Sequence, residues 1–231
     1  MKLYIIPTPI GNLEDITLRA IRILKEVDAV LAEDTRVSGR LLQHLGIEKP
    51  IHSFHAFNEH KSVAGILERL KRGETLGLIS DAGTPGISDP AFLLVRECIR
   101  AGINVECLPG PVALIPALIQ SGLPCDRFVF MGFLPPKKGR KTSLEKLKVE
   151  ERTMVFYESP HRLLKALDEF IVTFGTDRPA FVCRELTKMH EENARGSLDE
   201  LKKHFETKTI KGEIVIVVQG SGKKTKNEEE E

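Results

Sequence analysis

Short apolar runs alternate with helix-period segments along the whole first half of the chain, and Gly/Pro-rich turns follow several of the runs. "LYII" (3–6), "AVLA" (29–32), "TLGLI" (75–79) and "NVECL" (104–108) read as strands, and "IHSF" (51–54) as a short one. Between them lie amphipathic stretches. Thr17 is placed to cap a helix carrying Leu18, Ile21, Leu24 and Val27. Further helices are expected over 37–45, 62–72 and 90–101, closed by Gly46, Gly73 and Gly102, and another from "PGP" (109–111) to Gly122. Apolar strands separated by helices predict a parallel sheet covered on both faces.

After "SGLPCD" (121–126) the character changes. "RFVFMGFL", "TMVFY", "AFVCREL", "MHEENARG" and "EIVIVVQ" read as strands, and they outnumber the helices. Ser159-Pro160 predicts a helix start running to Phe174, and Ser197 one over 198–205. The expected organisation is an N-terminal α/β domain (1–122), a C-terminal mixed α/β domain (123–220) and a disordered charged tail (221–231) with no apolar residue.

Composition narrows the functional classes. Thirty-four Lys and Arg stand against thirty-three Asp and Glu, so global charge does not point to nucleic acid. The four cysteines form no CxxC pair, which argues against a zinc site or a disulfide framework and for reduced thiols. No apolar run has the length of a membrane span and the start has no signal-peptide layout, so a cytoplasmic protein is expected. No metal-ligand cluster is evident.

Three turns follow strands of the first half: "PTPIGN" (7–12), "SDAGTPGISDP" (80–90) and "PGPVA" (109–113). In an open parallel sheet such turns gather at the carboxyl ends of the strands, where ligands bind. Glycines let the backbone approach a ligand, and helix N-termini favour its anionic parts. The alternative is three tight turns without a ligand. GxxxxGK[ST] is absent and no GxGxxG follows the first strand, which weakens nucleotide triphosphatase and nicotinamide readings.

The opening "YIIPTPIGNLEDITLRAIRILKEVDAVLAEDTR" resembles the first βαβ unit of the tetrapyrrole-methylase family. Gly11-Asn12, Ile16-Thr17-Leu18, Asp28 and Val30 carry the likeness. The family's GDP turn falls on Gly83-Thr84-Pro85, its PGI turn on Pro109-Gly110-Pro111-Val112-Ala113, and its VFYMG strand end on Val155-Phe156-Tyr157-Glu158-Ser159. The departures in these turns are similar to one branch, the small-subunit ribosomal RNA methyltransferases. "TPIGNLED", "AEDTR", "SDAGTPGISDP", "GFLPPKKGRK" and "ESPHR" match that branch, with Ala91 where it usually has glycine.

The resemblance implies an S-adenosylmethionine-dependent 2′-O-methyltransferase acting on a cytidine in the decoding region of 16S rRNA, on the RNA or the small subunit. It also implies a homodimer, with the cofactor in a cleft between two α/β domains. The cofactor contacts it suggests are Pro9, Ser80, Asp81, Gly83, Thr84, Ile87, Ser88, Val112 and Ala113 from the first half, and Phe156, Tyr157, Glu158, Gly212, Glu213 and Ile214 from the second.

Glu33, Asp34 and Arg36 lie at the end of the second strand, where a substrate would sit, and are the catalytic-region candidates. Asp34 or Thr35 as a helix cap, with Arg36 paired to a carboxylate, is the competing reading. Asp81 and Asp89 equally suit turn or cap positions, His161 suits a structural place in a first helical turn, and His55 suits either a core or an RNA-facing position. Lys137, Lys138, Arg140 and Lys141 head the strongest local basic cluster and are the RNA-binding candidates; a solvated helix face is the alternative. Two rivals remain: a tetrapyrrole C-methyltransferase, which predicts porphyrinoid binding without salt-sensitive RNA affinity, and a non-catalytic nucleotide-binding or ribosome-assembly module, which predicts binding without methyl transfer.

Overall fold

The computed structural model describes residues 1–55, 59–88 and 91–222. The Asp89–Pro90 cap and the tail beyond Gly222 lie outside the described residues. The chain divides into two compact units, Met1–Val112 and Ala113–Glu231.

The first unit is built on five strands, β1 (Lys2–Ile5), β2 (Ala29–Ala32), β3 (Ile51–Ser53), β4 (Thr75–Ile79) and β5 (Asn104–Cys107). They pair in the order β3-β2-β4-β1-β5, and every pairing is parallel. Helices α1 (Leu18–Glu26) and α2 (Thr35–His44) cover one face; α3 (Glu59–Lys71) and α4 (Phe92–Arg100) cover the other. Ile23, Leu24, Leu42, Val30 and Ile79 form the first apolar layer, and Leu31, Leu76, Leu78, Ile66, Leu70 and Leu94 the second. A sheet buried on both faces explains why β2 and β4 read as continuous apolar runs instead of alternating. Thr17 caps α1 by accepting the Ala20 N–H at 3.0 Å.

The second unit begins one helix earlier than expected. Helix α5 (Leu114–Ser121), placed with the first half on its sequence, packs against the second sheet. Its apolar residues Leu114, Ala117 and Leu118 are buried there, and Gly122 closes it in the left-handed region at φ 71°. That sheet comprises β6 (Phe128–Phe133), β7 (Thr153–Glu158), β8 (Pro179–Arg184), β9 (Glu192–Ser197) and β10 (Ile214–Val218), in the order β6-β7-β10-β8-β9. Only β6 and β7 run parallel, so the sheet is mixed.

Helices α6 (Arg140–Leu147), α7 (Leu163–Phe174) and α8 (Leu198–Glu206) enclose the larger core. Phe156, Phe170 and Phe205 are its largest fully buried members. The helix expected straight after Ser159 starts instead with a 3-10 turn, Pro160–Arg162, and β9 starts at Glu192 because 189–191 lie in a turn. Among the described residues no helix is long and apolar enough to cross a membrane. Burial pushes the Cys98 thiol up to about 11 and the Cys183 thiol up to about 12, so both stay protonated near neutrality.

Ser197 and Glu200 form a reciprocal capping box at the start of α8. Ser197→Ala should lower unfolding free energy by about 1 kcal/mol in urea titrations, with an unchanged denaturant slope.

Candidate functional site

The chain leaving β4 runs to the α3–α4 face, whereas the chains leaving β1 and β2, on either side of it, run to the α1–α2 face. Neighbouring connections that part in this way open a crevice at the carboxyl edge of a parallel sheet. The three Gly/Pro turns meet there and are fastened to one another.

Thr8 and Gly83 exchange backbone hydrogen bonds: the Thr8 N–H donates to the Gly83 carbonyl at 2.9 Å, and the Gly83 N–H to the Thr8 carbonyl at 3.0 Å. The Thr8 hydroxyl donates to the Ser80 carbonyl at 3.1 Å, and the Ser80 hydroxyl to the Gly83 carbonyl at 3.2 Å. Thr84 ties in the third turn by donating its hydroxyl to the Pro111 carbonyl at 2.9 Å. At Gly110 a Cβ would lie 2.5 Å from the Pro7 Cβ, so only glycine allows this approach. Gly83 holds φ +84° with Ile10 3.3 Å from where its Cβ would be.

Within this cluster the sequence candidates divide by role. Pro9, Ser80 and Gly83 are buried, and the Ser80 hydroxyl is committed to holding the turn rather than to a ligand. Thr84 is half-buried. Asp81, Ile87 and Ser88 form an exposed rim, with Ser88 held at φ 72° although it is not glycine. Val112 and Ala113, half-buried, follow the third turn.

Glu33 and Asp34 follow β2, one strand away from Asp81 at the end of β4. The Asp81 carboxylate accepts the Asp34 N–H at 3.0 Å. Asp34 itself is the N-cap of α2. Its carboxylate accepts the Arg36 N–H at 2.8 Å and the Arg36 guanidinium at 3.0 and 2.5 Å. Those bonds hold its carboxyl far below the usual carboxylate range. Asp34 and Arg36, expected as catalytic-region groups, thus satisfy each other and start a helix.

Glu33 behaves oppositely. Burial, then the charges of Asp81 and Asp34, raise its carboxyl above the usual range, while the Asp81 N–H and the nearby His55 pull the other way. Among these groups Glu33 is the carboxylate most ready to take a proton.

In the second unit the candidates from β7 and β10 come together, because Tyr157 pairs with Val215 and Glu158 with Ile214. Their side chains face different ways. The Phe156 ring is 1% exposed and packs on Phe170 at 4.8 Å, so it belongs to the core and offers a ligand only its backbone. Ile214 lies in the same core. Tyr157 points to the opposite face, edge-on to Phe130 and Phe133. Gly212 holds φ +88°, and a Cβ there would collide with Glu185. Glu213 is exposed and pairs with Lys188 at 3.0 Å.

Glu158 is 3% exposed, and its carboxylate binds the Ser159 N–H at 2.8 Å, Arg162 at 2.8 Å and Arg140 at 3.3 Å. Arg140 is correspondingly 4% exposed. Its guanidinium is committed to Glu158 and Glu169, which removes it from the phosphate-contacting set; Lys137, Lys138 and Lys141 remain exposed.

Sequence reasoning missed Thr8, Gly110, Arg162 and Glu169. Thr8 and Gly110 lie within quoted motifs, but their partners are far away in the chain. Arg162 closes "ESPHR", next to the more conspicuous His161. No local signal marks Glu169.

The architecture is that of known methylase folds. The solved structure of a cobalamin biosynthetic enzyme, cobalt precorrin-4 methyltransferase, superposes with a TM-score of 0.70 at 21% identity over 94% of each chain. Diphthine synthase superposes at 0.72 with 14% identity, over 95% of this chain and 90% of that one. The sequence pattern of the Tetrapyrrole (Corrin/Porphyrin) Methylases matches residues 2–202, and the chain belongs to that family.

Its relatives include a Thermotoga maritima protein named ribosomal RNA small subunit methyltransferase I. It is 50% identical over 219 residues, covering 95% of this chain and 98% of the relative. A protein of the same name from Halalkalibacterium halodurans is 47% identical over 228 residues, covering 98% of this chain and 78% of that one.

Gly110→Ala forces a Cβ against Pro7. It should lower unfolding free energy by about 1–3 kcal/mol in denaturant titrations. Gly65→Ala, in helix α3 with nothing within 4 Å of the new Cβ, should leave stability equal or raise it.

Proposed function

We propose that this chain is an S-adenosylmethionine-dependent methyltransferase of small-subunit ribosomal RNA, and that its acceptor is the ribose 2′-hydroxyl of a cytidine in the decoding region. The observation that carries this reading is the fastening of three Gly/Pro turns at one sheet edge beside Glu33. It occurs in a chain half identical, over nearly its whole length, to proteins named for that RNA methyltransferase. The nucleotide and the atom rest on the sequence resemblance.

The residues present fit the cofactor. Gly83 and Gly110 let the three turns pack tightly against one another, with Ile10 and Pro7 in the places a Cβ would need, and so give the sheet edge a preset shape. Ile87 supplies exposed apolar surface, and Asp81, Thr84 and Ser88 supply polar groups, a mixture suited to a nucleoside with a charged amino-acid tail, while Pro9 lies buried beneath. Bound there, S-adenosylmethionine supplies a methyl group already activated on a sulfonium. Val112 and Ala113 extend this set, and Phe156, Tyr157, Gly212, Glu213 and Ile214 are further contacts that the sequence resemblance implies.

Glu33 is the proton acceptor. With the methyl donor bound, Glu33 would take the 2′-hydroxyl proton as that oxygen accepts the methyl group, with S-adenosylhomocysteine as the leaving group. Asp34 stays anionic on Arg36 and adds negative field beside Glu33. Asp81 braces the end of β2 through the Asp34 N–H. Lys137, Lys138 and Lys141 contact phosphates. The acting form is a homodimer, which sedimentation at micromolar concentration checks.

Small subunits lacking the modification, incubated with labelled methyl donor, should acquire label on the ribose of one cytidine. Label on a base removes the 2′-O assignment, and binding without transfer returns the non-catalytic reading. Transfer to a porphyrinoid instead of rRNA returns the tetrapyrrole reading.

Glu33→Gln should lower kcat by about 10²–10⁴-fold while S-adenosylhomocysteine still binds. In the wild type kcat should rise with pH through a pKa above the ordinary glutamate value of about 4.3, because the acceptor must be unprotonated. An unchanged kcat or pH profile in the variant removes Glu33 from this role.

A further inference from the structure

Arg140 stands between lysines in "PPKKGRK" yet is the one basic side chain of that run turned inward. Its guanidinium reaches three separate parts of the second unit. Nε donates to Glu169 of α7 at 2.5 Å, Nη2 to Glu158 at the end of β7 at 3.3 Å, and Nη1 to the carbonyl of Pro135 at 3.4 Å. Its backbone N–H donates to the Lys137 carbonyl at 3.3 Å. Glu158 in turn holds Arg162 and the Ser159 N–H, where the chain enters α7.

We infer that Arg140 is a positioning residue for RNA binding: its buried fork pins the 135–139 loop to the end of β7, so that Lys137 and Lys138 are presented to phosphate in one preset arrangement. This rests on the ribosomal RNA reading above and deepens it.

A buried ion cluster is a weak source of stability, because desolvation offsets the attraction, and apolar residues of similar size often serve as well. Its value lies in directional ties, and a planar guanidinium can bind three groups at fixed angles where a lysine ammonium or an apolar side chain cannot. The cluster balances two arginines against two glutamates, so it adds no net attraction for phosphate; that falls to the exposed lysines. Buried pairs are also screened little by salt, so the loop keeps its place where the lysine–phosphate contacts weaken. Without the tie, the loop must be ordered at the moment of binding, which reduces affinity without removing any contacting charge.

The test is a double-mutant cycle on binding to purified small ribosomal subunits, measured across a potassium chloride series, with folding of each variant checked by circular dichroism. Lys137→Ala/Lys138→Ala should weaken binding and flatten the salt slope by about 2. Arg140→Met should weaken binding about tenfold. Added to the lysine pair it should weaken binding no further.

Equal weakening by Arg140→Met with and without the lysines overturns the inference, since a general structural defect or a direct phosphate contact would add. If Arg140→Met does not fold, Glu169→Gln decides. It leaves the Arg140–Glu158 pair in place and should weaken binding about threefold, again only when the lysines are present; no effect, or one that persists without them, counts against the inference. Wild-type protein that binds subunits with no salt dependence, and lysine variants that match it, would instead overturn the RNA reading and this inference with it. Salt-sensitive wild-type binding with an additive cycle overturns the inference alone.

Discussion

The pair of backbone hydrogen bonds between Thr8 and Gly83 joins turns that are 75 residues apart and leave adjacent strands for opposite faces. A crevice opens between such turns by topology alone, but topology does not fix its shape. The Thr8–Gly83 exchange does, and the Thr8 and Ser80 hydroxyls reinforce it from beneath. Because these internal donors and acceptors satisfy one another, the cluster can be buried without orphaned polar groups. On the outer edge of the same turns Asp81, Ile87 and Ser88 stay exposed. Thr84 and Gly110 then bring the third turn to the same place, one through its hydroxyl and the other through having no side chain.

The two units use charge in contrasting ways. At the edge of the first sheet, Asp34 is held anionic by its bonds to Arg36, while Glu33 stays half-buried beside the carboxylates of Asp81 and Asp34, and its affinity for a proton rises. In the second unit a buried pair, Glu158 and Arg140, is joined by the partly exposed Glu169 and Arg162. Glu158 and Arg140 each find several partners and act as braces between strand, loop and helix. Similar residue types therefore raise a proton affinity where they remain unequally paired and brace the fold where charges of opposite sign meet.

Much of the fold is legible from periodicity. The parallel sheet follows from apolar runs in β2 and β4 that lack alternation, and Thr17, Ser197 and Gly122 mark helix ends by chemistry that acts within a few residues. The unit boundary is less legible. Helix α5 is apolar enough to suit either sheet, and only the packing of Leu114, Ala117 and Leu118 decides between them. The gathering of the three turns is also readable, since each follows a strand of one parallel sheet. Individual side-chain roles are less so. Arg140 and Lys138 look alike in a basic run, and what separates them is Glu169, 29 residues further on. Phe156 and Tyr157 are adjacent aromatics, yet strand alternation sends one into the core and the other to the opposite face.

The central claim is that the three fastened turns form one ready-made cradle for the methyl donor. Hydrogen–deuterium exchange of the full chain, with and without saturating S-adenosylhomocysteine, tests it most directly. Segments 7–12, 80–88 and 109–113 should gain protection together. Saturable binding that leaves their exchange unchanged and protects other segments would contradict it.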